Sequence, residues 1–176
     1  AKGISVKDLG SRKLESMGQE RYRIEYDASA IIYSLKAEPE FLWQDGQPKP
    51  LQYDSPRRTF LKKRENHIKF DWQSGQGRYV HKKKKGTFEL AAGMQDPLTS
   101  TLLLALEVQS GKSEIKLMEA KDNDQELRTF ILLDKPTLNM PSGKIKTYHL
   151  KRLHDDKKRQ TEIWLHHEYP FIPIKV

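Results

Sequence analysis

A chain of 176 residues, 36% hydrophobic and 32% charged, is long enough for one domain with a buried core and short for two. With no cysteine, disulfide frameworks, thiolate catalysis and cysteine-ligated zinc or iron–sulfur centres are excluded. A formal charge of +8 favours anionic partners, whether nucleic acid, acidic lipid headgroups or acidic glycans, and does not choose among them.

The chain starts at Ala1 and not at a methionine, so it reads as processed or trimmed, and the lack of a leader carries no weight against export. Residues 1–17 show no sustained period and read as an N-terminal arm, followed by a single β-rich domain over 18–176. From Arg21, the residues Tyr22, Ile24 and Tyr26 alternate with Arg21, Arg23 and Glu25, and Ile31, Tyr33 and Leu35 then alternate with Ala30, Ile32 and Ser34. Period two predicts strands with one packed face. "DGQPKP" at 45–50 reads as a loop, because two prolines and a glycine interrupt a ladder.

In "HIKFDWQSGQGRYVH", Ile68, Phe70 and Trp72 share one face, His67, Lys69 and Asp71 the other, and "SGQG" turns the chain into a hairpin. Lys82, Lys83, Lys84 and Lys85 then fall at a hairpin end, where long cations are solvated and block edge pairing. Further basic groups stand at Arg57–Arg58, Lys62–Arg64 and Lys157–Arg159. Nucleic-acid binding would need them merged with exposed aromatics, and the aromatics alternate inward, so nucleic acid is not expected.

"QDPLTSTLLLALEVQSG" breaks the strand pattern. Asp96 stands as N-cap, Pro97 at the first helical position and Gly111 at the stop, which predicts a helix over about 96–109. Leu98, Leu102, Leu103, Ala105, Leu106 and Val108 cover more than half its circumference, leaving Ser100 and Glu107 as a narrow polar line. Such a helix needs cover on most sides. It is also too short to cross a bilayer. Beyond it, Leu127, Thr129, Ile131 and Leu133 alternate with Arg128, Phe130 and Leu132, and strands flank "PSGK" at 141–144 and "HDDKKRQ" at 154–160. In the last strand Ile163 and Leu165 oppose Glu162, Trp164 and His166. The predicted class is mainly β: a strongly curved antiparallel sheet or incomplete barrel around one apolar helix.

Motif chemistry is sparse. "SGKS" at 110–113 follows a helix and lacks the upstream glycine of a phosphate loop, and "GQG" at 75–77 has no helix behind it. No HExxH or GxSxG occurs, and His166 and His167 point to opposite faces of a strand, so no metal or serine-hydrolase site is expected, although His149 and His166 could pair across strands. Asp96 reads as a cap and Asp71 as a solvated position; an enzymatic site would require Asp71, His149 or another polar group to converge in a pocket.

At "FDWQSG", "QDPLTSTLLLALEVQSG", "PSGKIKTYHLKR" and "TEIWLHHEYPFIPIKV" the chain resembles a bacterial family of exported proteins catalogued as domain of unknown function 3108, over Glu20 to Val176. Its most specific parts are the Asp-Pro-Leu-Thr helix start, the Pro-x-Gly turn and the Trp-Leu to Pro-x-x end. The resemblance implies a periplasmic or otherwise exported β-rich protein and lends no reaction, so no catalytic role passes to Asp71, Asp96, Arg152 or Trp164. Members often show an acidic residue soon after the Trp-Leu pair, where this chain has His166, His167 and then Glu168.

The functional expectation is a non-enzymatic envelope protein without a cofactor. In the first reading a lipid-like or glycolipid ligand lies in an apolar groove of Phe70, Trp72, Leu102, Leu106 and Trp164, with Lys82 to Lys85 and Arg152 meeting anionic groups. In the second, a solid-core protein binds an envelope protein or acidic glycan on its outer face.

Overall fold

Period-two patterning becomes antiparallel ladders along nearly the whole chain. The computed structural model describes residues 11–30, 33–59, 63–64, 66–121, 124–141, 143–156 and 158–176; Ile31, Ile32, Lys62 and Lys157 lie outside the described residues. The first half forms β1 (Ser11–Gly18), β2 (Arg21–Ala30), β3 (Tyr33–Gln44), β4 (Gln47–Asp54), β5 (Arg57–Thr59), β6 (Lys63–Arg64), β7 (Asn66–Asp71), β8 (Gln76–His81) and β9 (Lys84–Glu89). These pair in the order β1-β2-β3-β4-β7-β8-β9, with β5 against β3 and β6. After the helix α1 (Thr99–Gln109) come β10 (Glu114–Lys121), β11 (Asp124–Asp134), β12 (Thr137–Met140), β13 (Gly143–Leu153), β14 (Thr161–His166) and β15 (Pro173–Lys175). They form a second sheet, β10-β11-β13-β14-β15, with β12 against β13.

Among the described residues neither sheet closes on itself. Among the described residues a single parallel bridge, Gln95 to Glu119, joins the segment before the helix to the second sheet, through Gln95 N to Met118 O (2.9 Å) and Ala120 N to Gln95 O (2.8 Å). The helix serves both sheets. Leu103, Leu104, Ala105 and Val108 pack with Ile115, Leu117, Phe130, Tyr148, Leu150 and Leu165, while Leu98 and half-buried Leu102 pack with Ile24, Phe41, Tyr53, Ile68 and Phe70. That is why its apolar stripe runs so far round. Ser100 departs from the predicted polar line: it is buried, and its hydroxyl donates to Glu119 Oε2 at 2.7 Å.

Two other expectations change. Ser11–Gly18, read as part of an arm, is a strand; among the described residues it pairs only with β2, and it is wet along most of its length, so it has no face for an apolar period to mark. The "DGQPKP" segment turns at Asp45 (φ 53°) and Gly46 (φ 75°) and continues as β4, with Gln44 opposite Gln47. Positive φ at both central residues is the two-residue hairpin turn whose twist suits the flanking strands. The prolines are tolerated because β4 meets β7 only from Gln52 to Asp54, so Pro48 and Pro50 sit where no strand needs an N–H on that side.

In the β8–β9 hairpin two glycines act as sockets. Gly77 stands opposite Phe88 and Tyr79 opposite Gly86. A Cβ on Gly77 would meet Phe88 ring atoms at 2.2 to 2.7 Å, and one on Gly86 would meet the Tyr79 ring at 2.6 to 2.7 Å. Each ring lies across the bare backbone of the partner strand. Gly77→Ala is therefore expected to push Phe88 off its edge contact with Phe70 (6.4 Å, 86°) and to cost about 1–3 kcal/mol in chemical unfolding. An unchanged midpoint would show that Phe88 swings away freely.

Candidate functional site

Three of the five predicted groove residues, Phe70, Trp72 and Leu102, share one cluster, while Leu106 and Trp164 lie elsewhere. Phe70 is buried, Trp72 and Leu102 pack against the same cluster, and Leu106 packs against the other. Trp72 lies in the turn after β7, not in the strand. Trp164 is on the outer face of the second sheet, because its neighbour Leu165 takes the core; it stacks on His149 (4.1 Å, 10°) beneath Lys175 Nζ at 4.2 Å. Beside the helix, a recess lined by Arg12, Leu14, Ile24, Leu102 and Phe171 holds only about 10 Å³. That is room for about one water and no acyl chain.

Arg152, expected as an anion contact, is buried and its Nη2 pairs with Glu126 Oε1. It closes a polar seam between helix and second sheet: Ser100 donates to Glu119, Arg128 Nη1 bonds the same Glu119 Oε2 at 2.6 Å, and Arg128 Nε reaches Glu126 Oε2 at 3.3 Å. Glu119 is in phase with Ile115 and Leu117 on β10, and a glutamate inside an apolar phase was the sequence signal for it.

Asp96 caps the helix. Its Oδ1 accepts from Leu98 N (2.8 Å) and Thr99 N (3.0 Å), its carbonyl from Ser100 N (2.9 Å), and Thr99 Oγ1 donates to Oδ2 (2.7 Å). The bonding thus begins before the first regular helical residue, Thr99. Burial, opposed by the Thr99 and Leu98 bonds and helped by the Glu119 charge, pushes the Asp96 carboxyl up to about 6.

Asp71 and His149 do not converge. Asp71 is exposed, and hydrogen bonds from Ser74 hold its carboxyl below the usual range. His149 belongs to the other sheet, with Nδ1 at 2.8 Å from Asp134 and Nε2 at 2.9 Å from Glu162. His166 instead accepts from the backbone of Glu168 and Tyr169. Among the described residues no group of His, Asp and Glu is placed to hold a metal ion, and no helix is long and apolar enough to cross a membrane.

Two surface features remain. The first is cationic. Lys69 and Arg78 stand directly opposite each other on β7 and β8, and Lys85 on β9 faces outward with them, because Ile68, Phe70, Tyr79 and Phe88 take the inner side. Lys82 and Lys83 turn the chain between β8 and β9, Lys82 at φ 58°. None of Lys69, Arg78, Lys82, Lys83, Lys84 and Lys85 forms an ion pair with a described residue.

The second is a recess of about 230 Å³ where β4 outruns β7, lined by Gln44, Asp45, Gln47, Pro48, Lys49, Trp72, Gly93, Met94 and Gln95. Sequence reasoning missed it, since it lies along the stretch read as a loop. The carbonyls on the free side of β4 are taken by side chains: Trp72 Nε1 donates to Pro50 O (2.6 Å) and Gln95 Nε2 to Pro48 O (3.0 Å).

The sequence profile of a family described as "protein of unknown function (DUF3108)" matches residues 17–176. A search of the curated proteins finds no match. Among solved structures, the chain is similar to a β-barrel-like protein of domain of unknown function DUF1849 from Brucella abortus, at 12% identity and a TM-score of 0.57, covering 92% of this chain and 77% of that one. That likeness concerns the fold alone.

Proposed function

The chain belongs to the DUF3108 family of proteins of unknown function, and from that premise we propose that it is an exported, non-enzymatic binding protein of the cell envelope with a solid core, which holds an acidic glycan on the outer face of its first sheet. The observation that carries the reading is the cation-rich outer face, where Asp71 acts on Arg78 and no lysine of the group forms an ion pair with a described residue. Like charges directly across a ladder, as at Lys69 and Arg78, disfavour the sheet, and a lysine at φ 58° occupies a turn position that glycine or asparagine would fill with less strain. The first costs stability where a neutral residue would not and the second where glycine or asparagine would cost less, which fits a surface kept for an anionic partner. The filled interior around Leu102 supports recognition from outside over a buried lipid-like ligand.

Dextran sulfate serves as the test polyanion. Replacing Lys82, Lys83, Lys84 and Lys85 with glutamine is expected to weaken its binding at least tenfold at low salt and to flatten the salt dependence, while stability moves by no more than about 0.5 kcal/mol. Equal binding by the variant removes the turn from the mechanism. A stoichiometric lipid in the native mass spectrum of protein taken from an envelope fraction would overturn the solid-core reading.

A further inference from the structure

We propose that the recess between Asp45, Lys49, Trp72 and Gln95 is a subsite for a single neutral pyranose ring, such as one terminal unit of a glycan. Its volume of about 230 Å³ falls below the roughly 300–1,000 Å³ of clefts that enclose drug-sized ligands, so it admits one ring and not a chain of them. Charge selects neutrality: the one carboxylate, Asp45, and the one ammonium, Lys49, cancel. Chemistry selects a polyhydroxylated ring. Gln44, Asp45 and Gln47 place planar amide and carboxylate groups around the exposed rim, with Lys49 Nζ donating to Gln44 Oε1 at 3.1 Å, and such groups bond adjacent hydroxyls as donors and acceptors together.

Trp72 supplies the apolar wall. Its indole is fixed by the bond to Pro50 O, by stacking on Phe70 (6.2 Å, 13°) and by Lys49 Nζ 5.5 Å from its centroid. A ring fixed in this way gives a flat surface for the C–H face of a sugar at little entropic cost. Gln95 is a fixed, buried part of the lining: it is only 1% exposed, and its Nε2 is held by Pro48 O and Gly93 O at 3.0 Å each. An acyl chain would leave these polar groups unmet.

The subsite does not depend on the cation face. Titration of the full chain with D-glucose, D-galactose and N-acetylglucosamine, followed by amide and indole N–H resonances, is the test. At least one sugar is expected to shift the Trp72 indole and the amides of Gly93, Met94 and Gln95 saturably, with a dissociation constant on the order of 1 mM, leaving the Trp164 indole unmoved. The exposed pair Gln44→Ala and Gln47→Ala should weaken that binding at least fivefold without lowering the unfolding midpoint, and the Lys82 to Lys85 glutamine variant should bind the sugar unchanged. The absence of saturable shifts with all three sugars overturns the proposal. So does undiminished binding by the double variant, and tighter binding of glucuronate than of glucose overturns the neutral assignment.

Discussion

Replacing Arg128 with methionine is expected to lower the free energy of unfolding by about 3–5 kcal/mol, the range seen when one partner of a buried ion pair is removed. Glu119 is wholly buried and its Oε2 lies 2.6 Å from Arg128 Nη1, while Ser100 supplies only a neutral donor. Without the guanidinium, that buried carboxylate loses a charged partner, which disfavours the folded state. The double variant Glu119→Gln with Arg128→Met removes the charge as well and keeps an acceptor for Ser100, so it should recover at least half of the loss. Urea midpoints at a common slope read both values. A single-variant loss under about 1 kcal/mol, or a double variant worse than the single, would mean that the seam is held by packing and not by charge.

Asp96→Asn is expected to stabilise the protein above pH 6.5 by roughly 1–3 kcal/mol and to leave it nearly unchanged at pH 4. The folded carboxyl, at about 6, lies above the unfolded value of about 3.9, so the folded state holds its proton longer than the unfolded chain does. The contribution of this group to stability is therefore fully present below about pH 4, falls as pH rises between about 4 and 6, and stays lost above that; the gap corresponds to about 3 kcal/mol at most. Asparagine caps as well as aspartate and carries no charge to bury; its Nδ2 would face the Thr99 hydroxyl, which can accept. Asp96→Ala lacks the cap acceptor and should lose about 1–2 kcal/mol at every pH. The decisive measurement is the difference in stability between Asn variant and parent across pH 4 to 8. A flat difference would show that Asp96 carries no proton-linked cost.

Local patterning made the strands and the helix legible, because alternation and end signals are written in neighbouring residues. Asp96 and Pro97 opened the helix, and its wide apolar surface announced cover on more than one side. The strand at Ser11–Gly18 was not legible, for a strand with neither face well buried has no period to show. Trp164 was readable as outward-facing from its own alternation with Leu165, and its apolar strand neighbours had instead suggested a place in the interior. The recess depended on lengths and not on composition. It exists because β4 extends past the end of its pairing with β7, a tertiary difference that leaves Pro48 and Pro50 carbonyls for Gln95 and Trp72 to claim. Glutamate in an apolar phase hinted at the seam, but its partner Arg128 is set by the β10–β11 register, in which Leu117 stands opposite Arg128.

Among the described residues, every ladder pairs strands from the same side of the helix, and the Gln95 to Glu119 bridge is the only backbone link across it. The order of manufacture then matters. A chain emerging from its N-terminus can zip β1 to β9, mostly as successive hairpins with short loops to close, before residue 114 exists. Leu98 and Leu102 have partners waiting at that moment, whereas Leu103, Leu104, Ala105 and Val108 must stay uncovered until the second sheet arrives. The interval between those two events is the period in which this protein is most open to aggregation and most in need of a chaperone.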